Sequence, residues 1–325
     1  MKKVRNLISV LVISFLLGAI LVGCGSSNVS QNSKAEQTEN KKPKIAVILK
    51  TLSNPFWVAM KDGIEAEAKS QGVTVDVLAV DSEDDVQGQL KKFEDVLAKD
   101  YSAIGFAPIS PVNLISAVAQ ASSKGIPVVN IDQKVDMKEL KAAGGKIVSF
   151  VTTDNVKVGE KGAKYIIDTL GSSGGQVAIL EGKAGAASGE DRKNGATAAF
   201  KGNSAIDLVT SQPADWDRDK ALNVTSNLIQ RYPNLKAIYA CNDTMALGAV
   251  QAAQNAGKHI IIVGTDGAPE AIQAVKDGTL GATVAQDAAQ VGAVSVKALM
   301  DAIKNKKAGS DDPEYITVDS KLVAK

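Results

Sequence analysis

The sequence predicts an α/β fold made of two doubly wound parallel sheets. Short, continuously apolar runs rich in β-branched residues recur from residue 45 onward. Each is followed by a polar turn and then by a stretch with helical apolar spacing. Uninterrupted apolar strands belong to parallel sheets covered on both faces, and an intervening helix is the connection such strands need. The runs fall into two series separated near Thr153, and 325 residues suffice for two such units with a large core.

In order, the first series is IAVIL (45–49), VTVDVLAV (73–80), AIGFAP (103–108), PVVNID (127–132) and IVSFVTT (147–153). The second is QVAILEG (176–182), IDLVTSQ (206–212), AIYACND (237–243), IIIVGTD (260–266) and GATVAQD (281–287). A last strand, EYITVDSKLV (314–323), is expected to pass back between the two units. Between the strands lie amphipathic stretches such as 86–99, with Leu90, Phe93 and Leu97 on one face.

Charge and cysteine content exclude several classes. Lys plus Arg number 37 against 36 Asp plus Glu, so no broad positive field favours nucleic acid. Two cysteines make no disulfide framework. The N-terminus reads as an export signal: Lys2, Lys3 and Arg5 precede an apolar run from Leu7 to Val22 that ends in Leu-Val-Gly-Cys24. That ending resembles the bacterial lipoprotein signal, in which Cys24 becomes the lipidated N-terminus; an uncleaved membrane anchor is the competing reading. Several acyl chains at roughly 0.8 kcal/mol per buried CH₂ hold a protein durably at a membrane. The segment 25–43 is rich in Ser, Asn, Gln and Lys and buries too little to fold, so it reads as a flexible leash before a body starting near Lys44.

The stretch TLSNPFWVAM (51–60) is unusual because aromatics make up only 4% of the chain, yet Phe56 and Trp57 stand side by side at a helix start. Pro55 suits the first helical position, and Ser53 or Asn54 suits the cap. Met60, Ile64 and Ala68 mark the sheet-facing side, and successive residues are rotated by about 100°, so one core stripe cannot easily hold both rings. At least one ring is expected to face a crevice, where an aromatic plane covers the C–H face of a sugar and polar groups take its hydroxyls. Trp216, in SQPADWDRD (211–219), repeats the arrangement in the other half, with packing over a helix start as its bland reading. The aspartates around it imitate a calcium loop, but Lys220 and Ser226 stand where Gly and Glu are required, so calcium is rejected.

Polar residues also close several strands: Asp132, Asp154, Asn242 with Asp243, Asp266, and Gln286 with Asp287. In open α/β sheets the ligand crevice lies outside the carboxyl ends of the strands. Asp and Asn are equally at home as helix caps. Asp154 and Asp243 are expected to be caps; for Asp132, Asn242 and Asp266 both readings stay open. The run DSEDD (81–85) is expected to be a solvated loop, Cys241 a buried small residue, and His259 a solvent-facing one.

The segments TLSNPFW, IDQK, GEDRKNG, SQPADWDR, CNDTMALGA, GTDG and ATVAQ, in this order, resemble the sugar-binding proteins of bacterial ABC importers, in particular the ribose- and allose-binding group. The likeness runs from about Lys44 to Lys325. It implies the type I periplasmic-binding-protein fold, two lobes joined by three hinge strands that close on one monosaccharide and deliver it to a membrane permease. The lobes would be 44–153 with 287–319 and 154–286 with 320–325, after a signal peptide over 1–23 and a lipidated linker over 24–43. The resemblance implies that Phe56, Trp57 and Trp216 sandwich the sugar, and that Asn54, Asp132, Arg192, Asn242, Asp266 and Gln286 hydrogen-bond its hydroxyls; Lys50 and Gln133 are expected to belong to the same sugar-binding set. Two departures bear on the sugar. Ribose-binding members carry Arg where this chain has Gln133, and a small residue where it has Lys50, which argues towards the allose type. An acidic residue is expected at 133 in that type, so psicose and ribose remain alternatives. A monomer without cofactor or metal is expected, exported and anchored at the outer face of the cytoplasmic membrane.

Two other classes fit worse. A sugar-processing enzyme would need a general-base histidine, a metal-ligand cluster or a nucleophile motif, and the sequence offers none. A sugar-responsive transcription regulator would need a helix-turn-helix headpiece where this chain has an export signal.

Overall fold

The computed structural model describes residues 42–325; the export segment, Cys24 and the linker as far as residue 41 lie outside the described residues. The first half runs β1 (Lys44–Thr51), α1 (Pro55–Ser70), β2 (Thr74–Val80), α2 (Val86–Leu97), β3 (Ala103–Phe106), α3 (Ile115–Ser123), β4 (Val128–Ile131), α4 (Met137–Ala142) and β5 (Ser149–Thr153). The second runs α5 (Asn155–Leu170), β6 (Gly175–Glu181), α6 (Ala187–Lys201), β7 (Ile206–Pro213), α7 (Arg218–Arg231) and β8 (Leu235–Ala240). It continues with α8 (Asp243–Asn255), β9 (Ile261–Asp266), α9 (Pro269–Asp277) and β10 (Ala282–Gln286). The chain ends with α10 (Ala288–Lys304), β11 (Glu314–Val318) and β12 (Ser320–Ala324).

These strands form two six-stranded sheets, ordered β11-β5-β4-β3-β1-β2 and β12-β10-β9-β8-β6-β7. All pairs are parallel except β10 with β12. Both orders reverse beside their first strand, the arrangement that opens a crevice at the carboxyl edge. Burial follows the sequence pattern: Ile45 to Leu49 in β1 are wholly buried, and Tyr239 in β8 is buried with its hydroxyl 3.0 Å from that of Thr265.

The chain passes between the halves at three places. After β5 it enters α5, which packs on α6 and beneath β9 and β10. After β10 it returns as α10, which packs on α1 and against β3, β4 and β5. The helices approach closely because Gly63 and Gly292 lack side chains: a Cβ at Gly63 would stand 2.0 Å from the Ala289 carbonyl oxygen, and one at Gly292 2.4 Å from that of Met60. The third passage corrects the expectation of a single strand over 314–323. β11 adds parallel to β5 and β12 antiparallel to β10, with Asp319 between them. One strand cannot keep pairing while it changes sheets, and the break falls on a residue of low β-propensity.

Strand ends also stop earlier than the apolar runs. β3 ends at Phe106 before Ala107-Pro108, β4 ends at Ile131, and β8 ends at Ala240. Just beyond these ends Asp132 and Cys241 each keep one backbone bond to the neighbouring strand, and Asp132 and Asn242 line the crevice.

Candidate functional site

A cavity lies between the carboxyl edges of the two sheets. The first half walls it with Lys50, Asn54, Phe56, Trp57, Glu83 and Asp132, and the second with Ser188, Arg192, Trp216, Asn242 and Asp266.

The first aromatic wall is built by the tip of α1. The Asn54 side chain accepts a hydrogen bond from the Phe56 amide at 3.0 Å, capping the helix, and Pro55 occupies the first turn. Both rings therefore point from the helix start into the cavity rather than one alone. They meet edge to face, with centroids 5.1 Å apart and planes at 84°. The Trp57 indole N–H donates to Glu83 Oε1 at 3.0 Å. Lys50 Nζ lies 3.5 Å from Glu83 Oε2 and 5.4 Å from the Trp57 ring centroid. Lys50 is almost fully buried, and it keeps its charge company with a carboxylate and a ring face.

The opposing wall is Trp216, in the turn between β7 and α7. Asp215 and Trp216 have φ of 54° and 65°, a left-handed conformation that non-glycine residues avoid. The indole lies on a floor of two glycines: a Cβ at Gly182 would stand 2.0 Å from ring atoms, and one at Gly189 2.8 Å. The Arg192 guanidinium carbon is 5.9 Å from the ring centroid.

Polar groups fill the space between the walls. Arg192 Nε donates to Asn155 Oδ1 at 2.8 Å, and Nη1 donates to the Cys241 carbonyl at 2.7 Å and to Asp266 Oδ1 at 3.3 Å. Among the described residues, Nη2 has no protein partner. Asp266 Oδ1 also accepts from Gln286 Nε2 at 2.7 Å. Asp132 has its backbone held by Val151 and Thr152, yet its carboxylate accepts no hydrogen bond within the described residues. Asp132 and Asp266 both have positive φ, 57° and 117°. Left-handed non-glycine residues thus concentrate around this cavity, and strain of about 1–3 kcal/mol per residue persists only where surrounding structure fixes it.

Burial pushes the Asp132 carboxyl above its ordinary range, against the pull of Lys50 and Arg192. It pushes Asp266 up to about 6, again with Arg192 opposing. Asp132 is a dry acceptor without a donor among the described residues, whereas Asp266 Oδ1 already accepts from Arg192 and Gln286. Buried acceptors left without partners cost about 1–3 kcal/mol each, and bonds to charged groups are the stronger kind. The arrangement can take a small molecule with two apolar faces and a rim of hydroxyls.

Several expectations need correction. Asp243 is not a cap: Asn242 caps α8, accepting from the Met245 amide at 2.8 Å. Asp243 is instead buried, accepting from the Ala268 amide and the Thr283 hydroxyl, each at 2.7 Å. Burial and the nearby Asp266 charge push it up to about 8. Asp154 caps α5 as expected. The DSEDD loop is exposed except at Glu83, which turns inward to Trp57 and Lys50. The strand-edge argument applied to the other strands applies equally to the loop after β2 and would have found it. Gln133 does not line the cavity: it is buried behind Asp132, its Oε1 3.4 Å from the Ser188 hydroxyl and its Nε2 without a partner. Gln286 likewise stands behind Asp266. Ser188, at the start of α6, carried no signal in sequence beyond its Gly-rich setting. Cys241 is buried, its thiol pushed up to about 12, and His259 is exposed. Among the described residues, no group of His, Cys, Asp and Glu side chains could hold a metal ion.

The periplasmic binding protein domain family matches residues 45–307. The chain belongs to the periplasmic binding protein family. It is 60% identical over 282 residues to the D-allose-binding periplasmic protein of Escherichia coli, covering 86% of this chain and 91% of that one. It is 38% identical over 289 residues to the ribose import binding protein of Bacillus subtilis, covering 89% and 90%. Among solved structures, an ABC transporter periplasmic solute binding protein from Actinobacillus succinogenes with bound D-allose superimposes with a TM-score of 0.82 at 36% identity, covering 87% of this chain and 98% of that one. The two sheets described above give the chain the type I periplasmic-binding-protein fold, and the cavity lies between them.

Proposed function

We propose that the protein is the extracytoplasmic sugar-binding component of an ABC importer and that its ligand is D-allose. The observation that carries this reading is the cavity itself: rings on two opposing walls, with a buried carboxylate and a guanidinium nitrogen between them that lack protein partners. Aromatic planes remove the C–H faces of a pyranose from water, and Asp132, Asp266, Asn242 and Arg192 take its hydroxyls. An Arg192 guanidinium already fixed by Asn155 and the Cys241 carbonyl can offer its remaining edge without further loss of freedom. Likeness to the D-allose-binding relative and the D-allose-bound structure supports the choice of sugar. So does a buried Lys50 at the end of the first strand.

In this reading residues 44–153 with 287–319 form one lobe and 154–286 with 320–325 the other. Separation of the lobes exposes half of the site on each side. A sugar touching both halves stabilises the closed form by its differential contacts, and the closed form is delivered to the permease. Cys24 would carry the lipid that keeps the protein at the outer face of the membrane, and the protein acts as a monomer. It binds the sugar without changing it.

The test is calorimetric titration of the full chain with D-allose, D-psicose and D-ribose. Saturable binding with D-allose tightest is expected. Tighter binding of D-psicose or D-ribose would transfer the role to that sugar. No micromolar-or-tighter response to any of them would remove the reading.

A further inference from the structure

We propose that Lys183 is a positioning residue that ties the mouth of the cavity shut and sets how long a bound sugar stays, without touching the sugar. The inference rests on the sugar-binding reading above. Lys183 sits in the turn between β6 and α6, in the half built on the second sheet. Its ammonium reaches across to the turn between β2 and α2 in the other half. There it donates to the Glu83 carbonyl oxygen at 2.9 Å and pairs with the Asp84 carboxylate.

Lys183 is absent from the cavity wall and lines the solvent-open vestibule outside it, beside Asp84 and Asp215. The residue it grips faces both ways. The Glu83 backbone takes the Lys183 bond, while its side chain points into the cavity, accepts the Trp57 N–H at 3.0 Å and lies 3.5 Å from Lys50. Lys183 thus fixes the main chain from which Glu83 orients one aromatic wall. The preceding residue, Gly182, is the floor on which the opposite ring, Trp216, rests. One turn carries both the tie and the floor.

Because donor and acceptors belong to different halves, the contact exists only when the halves are together. It therefore stabilises the closed form alone and acts on escape rather than entry. Lys220, the other cation at the vestibule, is engaged with Asp215 on its own side and does not replace it. The Asp84 partner is largely exposed, so that ion pair contributes little. The hydrogen bond from the charged amine to the Glu83 carbonyl carries most of the effect.

Stopped-flow dissociation of D-allose from the full chain tests this. Lys183→Met should raise the dissociation rate about three- to tenfold and leave the association rate within about twofold. The ratio of D-allose to D-ribose affinity and the melting temperature of the sugar-free protein should stay as in the wild type. Asp84→Asn should have a smaller effect, since the Glu83 carbonyl bond remains, and Lys183→Arg should restore most of the lifetime. An unchanged dissociation rate in Lys183→Met overturns the proposal. So does a changed sugar ratio, which would place the amine on the ligand, or a lowered melting temperature, which would make the contact merely structural. Failure of the wild-type protein to bind any of the sugars overturns the sugar-binding reading itself, and this proposal with it.

Discussion

The two aromatic walls of the cavity do the same work by opposite means. Phe56 and Trp57 are carried by the first turn of a regular helix, capped by Asn54, and both belong to the core cluster that also holds Met60 and Ile64. Trp216 sits on a left-handed turn, and its ring is placed by the absence of side chains at Gly182 and Gly189. One wall is a by-product of packing that the fold needs anyway. The other is held in an unfavourable backbone conformation, half-buried at the margin of the second core rather than within it. The contrast teaches where stability and binding are coupled in this protein and where they are separate.

The largest expected effect tests that coupling directly. Trp57→Ala removes a ring that is only 3% exposed and should lower unfolding stability by about 3–5 kcal/mol, as buried aromatic truncations do. Trp216→Ala should instead weaken D-allose binding by at least about tenfold, roughly 1.4 kcal/mol, with much less loss of stability. Denaturant melts and calorimetry on the two variants separate the cases. Equal stability losses would break the comparison, because Trp216 would then be a core residue like its counterpart.

The same contrast explains what the sequence disclosed. The start and sheet-facing side of α1 are readable, because capping, N-terminal proline and apolar spacing are local signals. The expectation that one core stripe cannot hold both rings is not met, since Phe56 and Trp57 are both buried with Met60 and Ile64 while lining the cavity. The ten strands of the two series are readable too, with Asp132 and Asp266 at or just beyond two of their ends, but not the division of 314–323 into two strands. What could not be read depends on the third dimension. Nothing local distinguishes Gly182 as the floor beneath a ring that arrives from residue 216. Whether Asn242 or Asp243 caps α8 turned on which one found partners elsewhere, and Asp243 found Ala268 and Thr283. Gln133 and Gln286 were placed near the site but stand one layer back, orienting wall residues instead of forming the wall. Glu83 was hidden among exposed acids of the same composition.

Gly182→Ala sharpens the comparison with a smaller change. A methyl group at this position would overlap the Trp216 ring, with the nearest ring atoms 2.0 Å away. The ring must shift, because the clash is with a rigid aromatic and not with the end of a flexible chain. We expect D-allose affinity to fall roughly tenfold, on the scale of an overpacking penalty of about 1–3 kcal/mol, while the far-ultraviolet circular dichroism is retained. A matching substitution under the first wall has no such target, since among the described residues no glycine has Phe56 or Trp57 among its nearest neighbours. Wild-type affinity in Gly182→Ala would show that the indole can move without consequence and that its strained turn serves something else.

The smallest effect concerns the charges between the walls, and its sign is opposite for stability and for binding. Asp266 is pushed up to about 6, chiefly by burial, with Arg192 pulling it down. An aspartate in the unfolded chain titrates near 3.9. The raised value means that the folded, sugar-free protein holds a proton the unfolded chain has released. The stability this group contributes is therefore fully present below the unfolded value and is lost as pH rises through about 6. Asp132, also raised by burial, adds in the same direction. Sugar hydroxyls donate best to the ionised carboxylates, so binding should run the other way, weakening as pH falls below about 6. Between pH 7.5 and 5 we expect D-allose affinity to drop by about three- to tenfold. Asp266→Asn separates this site from the other carboxylates: it should bind more weakly at every pH but with a flatter profile. A profile of wild-type steepness in Asp266→Asn would place the titrating group elsewhere.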